Sequence, residues 1–185
     1  SLLQLEPAVR IDLQSGTAEQ LRQSLQDGEL DLVITTLAGR PPRGLACRVI
    51  AKRSLVLLVP KTMPIRTADH FWDRKNVDEQ LIAPADTHAV SQAFQLGLRR
   101  GDIAWPPRLT TDSLACEASM VADGLGIGVT LALPDLIRHP RVRMLPLAGF
   151  DCVQIACFWR PPDTARLKTP LQFMERSARA LASQE

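Results

Sequence analysis

Apolar positions along the chain change period repeatedly, and each change predicts an element. Leu2, Leu3 and Leu5 form the tail of a helix that Pro7 follows. Val9, Ile11 and Leu13 alternate with Arg10, Asp12 and Gln14, which predicts a half-buried strand. Ser15, Gly16 and Thr17 turn the chain into a helix whose core face is Ala18, Leu21 and Leu25, with Gly28 at its end. Residues 30–36 are apolar on both faces at Leu32, Val33 and Ile34, the pattern of a parallel strand covered on both sides. A loop from Arg40 through Pro41, Pro42 and Arg43 to Gly44 leads to an extended stretch at 45–50. An apolar strand at 55–59 is then stopped by Pro60. Thr67 can cap a short helix holding Phe71 and Trp72. Leu81, Ile82 and Ala83 form a strand, and the helix after it turns Ala89, Ala93, Phe94 and Leu96 inward and closes near Gly101.

The clearest pattern lies at 108–133. Leu109 and Thr111 alternate as a strand. Asp112 and Ser113 can each cap a helix, because a short side-chain oxygen accepts from the first free backbone N–H groups. Leu114, Ala118 and Val121 recur at helical spacing, and Gly124 closes the helix in the left-handed conformation that glycine adopts without a steric penalty. Ile127, Val129 and Leu131 alternate as the next strand. Pro134 then starts a short helical turn, and 141–147 is extended. Residues 152–159 form a long strand with Val153, Ile155 and Cys157 on one face and Cys152, Gln154, Ala156 and Phe158 on the other. Thr169 and Pro170 open a last helix with Leu171, Met174, Ala178 and Leu181 toward the core. Strands alternating with helices give an α/β class with parallel sheets.

Composition changes this picture little. The 185 residues are 45% hydrophobic and 23% charged, enough for a sizeable core, and the net charge of +2 is too small to draw nucleic acid or a membrane by bulk electrostatics. The longest apolar runs, near 55–60 and 126–134, are far short of a membrane span, and the first residues lack the make-up of a signal peptide. Cys47, Cys116, Cys152 and Cys157 form no C-x-x-C pair, and only three histidines accompany them, so no metal or other cofactor is expected. They read as buried thiols in a reducing, cytoplasmic compartment. The basic groups at 40–43, 99–100 and 138–143 read as solvated faces.

Parallel sheets bind ligands beyond the carboxyl ends of their strands, where helix N-termini present free N–H groups. Four hydroxyl-bearing turns fit that description: Ser15–Gly16–Thr17, Thr35–Thr36, Asp86–Thr87–His88 and Thr110–Thr111–Asp112–Ser113. Such a set suits a small anion, although the charge of Asp86 opposes one and keeps a polar or cationic ligand open. Each residue has a plainer role beside it. Ser15, Thr17, Asp86 and Ser113 serve equally as caps, Thr35 and Thr36 as a strand end, and His88 as a solvated or cap-side imidazole. Gly124, Gly126 and Gly128 are not a dinucleotide loop, since the helix comes before the glycines instead of after them. Ser113, His88 and Asp112 lack the G-x-S-x-G elbow of a nucleophile triad, so no catalytic residue is assigned. Cys116 is a candidate redox thiol only with exposure or a lowered pKa to support it.

Two blocks carry a resemblance. One is Thr110, Thr111, Asp112, Ser113 followed by Val121, Ala122, Asp123, Gly124, Leu125, Gly126, Ile127 and Gly128; the other is Asp27, Gly28, Glu29, Leu30, Asp31 and Ile34. Both are similar to the effector-binding domain of LysR-type transcriptional regulators, in matching order along nearly the whole chain. The resemblance implies two Rossmann-like lobes of the type 2 periplasmic-binding-protein-like fold. Residues 1–54 and 145–185 would form lobe I and 55–144 lobe II. It implies a small-molecule effector, in a cleft between the lobes, contacted by Ser15, Gly16, Thr17, Thr35, Thr36, Asp86, Thr87, His88, Thr111, Ser113 and Gly126. Gly126 would pack beside that cleft. It further implies a homodimer or homotetramer, a further strand and helix upstream of Leu2, and DNA contact only through a winged helix-turn-helix that these residues do not contain. A transporter's solute-binding protein shares the bilobed fold and is the alternative; an enzyme on the same scaffold would need reactive groups that the hydroxyl-rich turns do not offer.

Overall fold

The computed structural model describes residues 10–72, 77–133, 137 and 139–182, with side chains to 177. The helix tail at Leu2–Leu5, Val9, the turn at Pro134, and the side chains of Ala178 and Leu181 lie outside the described residues. The chain forms two compact units, Ser1–Lys52 with Gln154–Glu185, and Arg53–Val153.

In the first unit, helix α1 (Ala18–Asp27) precedes strand β1 (Val33–Leu37) and strand β2 (Ala46–Arg53). Thr17 caps α1 reciprocally with Gln20, and Gly28 ends it at φ 84°. Strand β8 (Val153–Trp159) lies between β1 and β2 in the sheet. Its alternation decides the two faces. Ala156 and Phe158 join Leu25 and Val33 under α1, while Cys157 and Trp159 join Leu167 and Leu171 under helix α5 (Lys168–Ala182). Arg160, just past β8, donates to the carbonyls of Leu25 at 2.5 Å and Leu30 at 2.7 Å, and pairs with Asp163 at 3.0 Å. It thereby ties the α1–β1 turn to the end of the strand.

Two sequence expectations for this unit change. The run at 30–36 suggested a parallel strand covered on both sides, but β1 pairs antiparallel with β8, and Ile34 is 41% exposed. An apolar run reports burial and not strand direction. Residues 10–14 form no strand, and Leu13 is 89% exposed. Alternation makes a strand only where a neighbour completes the ladder, and no described strand pairs with Ile11 or Leu13.

The second unit is a five-stranded mixed sheet in the order β5-β4-β6-β3-β7. Its strands are β3 (Leu55–Pro60), β4 (Leu81–Ala83), β5 (Pro107–Thr110), β6 (Ile127–Leu131) and β7 (Val142–Pro146). Strand β4 runs parallel to β5 and β6, whereas β3 is antiparallel to β6 and β7. One face carries Val56, Leu58, Ile82 and Val142 against Ala118 and Val121 of helix α4 (Leu114–Ala122). The alternate residues Leu55, Leu57 and Val59 point to the other face. Helices α2 (Asp69–Trp72) and α3 (Ala89–Arg100) supply Phe71, Phe94 and Leu98 to the same core. Trp105 stacks on Phe71 at 5.3 Å, and Phe150 stacks on Phe94 at 5.5 Å.

Here too the sequence reading needs correction in places. Leu145 and Leu147 are buried within this unit, and β7 pairs with β3, so residues just after Met144 lie here and not with the first lobe. Leu96 is 40% exposed; the buried stripe of α3 runs through Val90, Phe94 and Leu98, spaced by one turn. Of the thiols, Cys157 is buried and Cys47 half-buried, but Cys116 and Cys152 are exposed. Cys116 lies on α4 one position before a core-facing residue, and Cys152 lies in the loop before β8 with Ser54 Oγ at 3.7 Å. Arg143 is more than a solvated charge: its guanidinium donates to the carbonyls of Met63 and Ile65 and holds that loop.

Candidate functional site

The second unit gathers two of the four hydroxyl-bearing turns. Strands β4 and β5 run parallel with Ala83 beside Thr110, and the Thr111 N–H donates to the Ala83 carbonyl at 3.2 Å. Their carboxyl ends are therefore neighbours. The turn after β4 enters α3 and the turn after β5 enters α4, so two helix N-termini open on one edge of the sheet. Each places free N–H groups and the positive end of a helix dipole there.

The caps fix the polar atoms. His88 caps α3, its Nδ1 accepting from the Val90 N–H at 3.3 Å. That bond leaves the proton on Nε2, which becomes the donor. Burial pushes the imidazole below its ordinary range, while the Asp112 carboxylate across the edge pulls it up. Ser113 caps α4 by accepting from the Cys116 N–H at 3.3 Å, and Thr111 Oγ1 accepts from the Ser113 N–H at 3.2 Å. A hydroxyl that accepts a backbone N–H still has its own hydrogen to donate. The edge thus offers donors from Thr111, Ser113 and His88, rimmed by the exposed carboxyls of Asp86 and Asp112. Thr87 is exposed in the same turn, and its carbonyl accepts from the Gln92 side chain at 3.4 Å.

The other candidates fall elsewhere. Gly126 precedes β6 beside Gln80, ahead of β4, and is not with these turns. A Cβ there would meet the Gln80 carbonyl oxygen at 2.4 Å, so the glycine is required by close strand packing. In the first unit Thr35 and Thr36 lie within β1, opposite Ala156 and Ile155, and not in a turn. Ser15 and Gly16 are exposed ahead of the Thr17 cap. Leu21 of α1 and Leu37 of β1 pack against one cluster around Leu25 and Val33.

Sequence reasoning missed Glu117. It is 2% exposed on the core face of α4, and burial pushes its carboxyl up to about 8 against a Val129 backbone N–H that pulls it down. The signal was present: a charge three residues after Leu114 and four before Val121 falls in the apolar stripe. Among the described residues, no group of three His, Cys, Asp or Glu could hold a metal ion. No described helix is long and apolar enough to cross a membrane.

Residues 1–179 match the family described as the LysR substrate binding domain. Among solved structures, the chain is similar to the OxyR2 regulatory domain C206S mutant from Vibrio vulnificus, with 21% identity and a TM-score of 0.74 over 96% of this chain and 85% of that one. It is also similar to the sulfate-bound E204G mutant of that regulatory domain, with 21% identity and a TM-score of 0.71 over the same shares. Full-length CbnR in complex with its target DNA matches at 19% identity and a TM-score of 0.70, over 96% of this chain and 61% of that longer one. No curated protein matches the sequence. At these identities the structural likeness is one of fold, and with the family match it gives the α/β, two-lobed, periplasmic-binding-protein-like class.

Proposed function

The chain belongs to the LysR substrate-binding domain family, and on that premise we propose that it senses a small-molecule effector at the paired turns of its second unit. The observation that supports this most is the arrangement of caps. Thr111, Ser113 and His88 each satisfy a backbone N–H and so keep one hydrogen for a ligand, beside two helix N-termini. The edge suits a small polar molecule with an acceptor group for these donors. Asp86 and Asp112 would take a donor or a cationic group on the same molecule. Ser15, Gly16, Thr17, Thr35 and Thr36 of the first unit remain candidate contacts within this reading.

The protein works by binding and not by turnover. An effector can shift its conformation only by the difference in affinity between two states. The signal passes to a DNA-binding segment outside these residues, in a cytoplasmic homodimer or homotetramer. The structural relatives are regulator domains, which favours this reading over a transporter's solute-binding protein.

A sulfate-bound relative makes sulfate the first probe, followed by small carboxylates and amino acids. In a thermal-shift and titration screen, Thr111→Val and Ser113→Ala should each weaken a hit by about tenfold, the worth of one lost hydrogen bond. A hit whose affinity survives both substitutions together would refute the assignment of this edge.

A further inference from the structure

Glu117 sits in the first turn of α4, on the face turned to the sheet. The sheet makes room for it at a single residue. A Cβ on Gly128 would stand 2.6 Å from Glu117 Oε1 and 3.1 Å from its Cγ. The rest of the surroundings is largely apolar: Val56, Leu58, Ile82, Ala118, Val121, Ile137 and Val142 form the core on this face, and the buried Thr130, opposite Val56, adds a neutral hydroxyl to it. Oε1 is buried with no hydrogen-bond partner among the described residues.

Among the described residues no charge answers it. Strands β3, β4 and β6 contain no ionisable side chain. Strand β7 has only Arg143, which faces away with Val59 and is held by the carbonyls of Met63 and Ile65. On α4 the other ionisable group is Cys116, which is exposed. Beyond the helix ends, Asp112 is exposed and Asp123 pairs with Arg141 at 2.7 Å. Near Ile137, the His139 Nδ1 accepts from the Arg141 N–H at 3.3 Å. A buried carboxylate with neither counter-charge nor a full set of donors is strongly unfavourable, whereas the neutral acid is tolerated.

We propose that Glu117 is a proton-operated latch: as the neutral acid it holds the first turn of α4 against Gly128, and on ionising it leaves the core and frees that turn. The raised titration range of the carboxyl agrees with this geometry. Ser113 caps the same turn, so the latch would also reshape the donor edge. Only that last consequence rests on the effector reading.

The test uses the full chain without ligand. A carboxyl-carbon NMR titration from pH 5 to 9, assigned with Glu117→Gln, reads the midpoint. Amide hydrogen exchange over 113–121, corrected for the intrinsic rate, reads the opening. The midpoint should be mildly alkaline. Opening of the first turn should rise about tenfold per pH unit as the midpoint is approached from below, as for loss of one proton, level off above it, and stay flat in Glu117→Gln. A midpoint in the ordinary carboxylate range, or identical exchange profiles in the two proteins, would overturn the proposal. Should Glu117→Gln fail to fold, Gly128→Ala provides the second route. Its methyl meets Oε1, so the turn should already open at neutral pH, and unchanged protection would overturn the latch. Neither readout involves an effector, so failure of the sensing reading leaves these results intact.

Discussion

Gly97 lies inside α3, where replacing glycine by alanine ordinarily stabilises a helix by about 1 kcal/mol. Here the sign should reverse. A Cβ at Gly97 would stand 2.2 Å from Phe150 Cδ1, 2.4 Å from Cε1 and 3.0 Å from Cγ. The ring cannot simply yield, because it stacks on Phe94 at 5.5 Å and leans on Trp72 at 5.7 Å. Moving it weakens two aromatic pairs, each worth roughly 0.5–1.5 kcal/mol. Set against the helix gain, Gly97→Ala should destabilise by about 1 kcal/mol, or roughly 2–4 °C in Tm for a chain of this size. In a Phe150→Ala background the new methyl meets nothing, and the same substitution should stabilise by about 0.5–1 kcal/mol. Urea unfolding of the wild type, both single variants and the double variant gives the coupling, expected at about 2 kcal/mol. Stabilisation by Gly97→Ala with Phe150 present, or additivity across the cycle, would refute the argument.

Three further outcomes are expected. For Glu117 the folded-state carboxyl is raised from 4.5 to about 8, so its contribution to stability is complete below the unfolded value and is lost as pH rises through the folded one. Glu117→Gln should match the wild type near pH 4 and exceed it by up to about 3 kcal/mol at pH 7 in urea midpoints; a pH-independent difference would contradict the burial argument. For His88 the imidazole is depressed, so stability is full above its ordinary range and falls as pH drops through the folded value. His88→Ala should lose about 1 kcal/mol of capping at neutral pH and flatten that acid-side slope, which thermal melts between pH 5 and 8 would record. Arg160→Ala removes charged bonds to the Leu25 and Leu30 carbonyls, and should destabilise the first unit by roughly 2–3 kcal/mol after discount for its partial exposure. Arg160→Lys should recover less than half of that loss, since a single ammonium replaces a fork; full recovery would show that charge alone matters.

Much of the fold was legible because periodicity reports local structure and burial. Leu114, Ala118, Val121 and the Gly124 stop mark α4, and the faces of β8 follow from alternation. Pairing was not legible. Whether β1 finds a parallel or antiparallel neighbour depends on β8, more than a hundred residues later, and no local pattern encodes that. Residues 10–14 show the same limit from the other side: the alternation is present, but no described strand pairs with it. The turns at 86–88 and 110–113 were visible as hydroxyl-rich breaks, yet their adjacency comes from β4 and β5 lying side by side. Gly126 was grouped with them because a glycine shows the need for closeness without saying to what; the answer is the Gln80 carbonyl. Glu117 escaped notice because a helical stripe is read by its apolar members, and the Gly128 gap that admits the carboxyl lies on another element.

Strand β8 separates β1 from β2. During synthesis, therefore, the first two strands leave the ribosome with the place between them still empty. About 100 further residues must follow before their shared neighbour emerges, which at ordinary translation rates takes roughly 5–20 s. Over that interval the nascent chain can complete the strands of the inserted unit, while the earlier segment waits with its apolar side uncovered. Chaperones, and truncations that stop short of Trp159, should act on this waiting segment before they affect the insert.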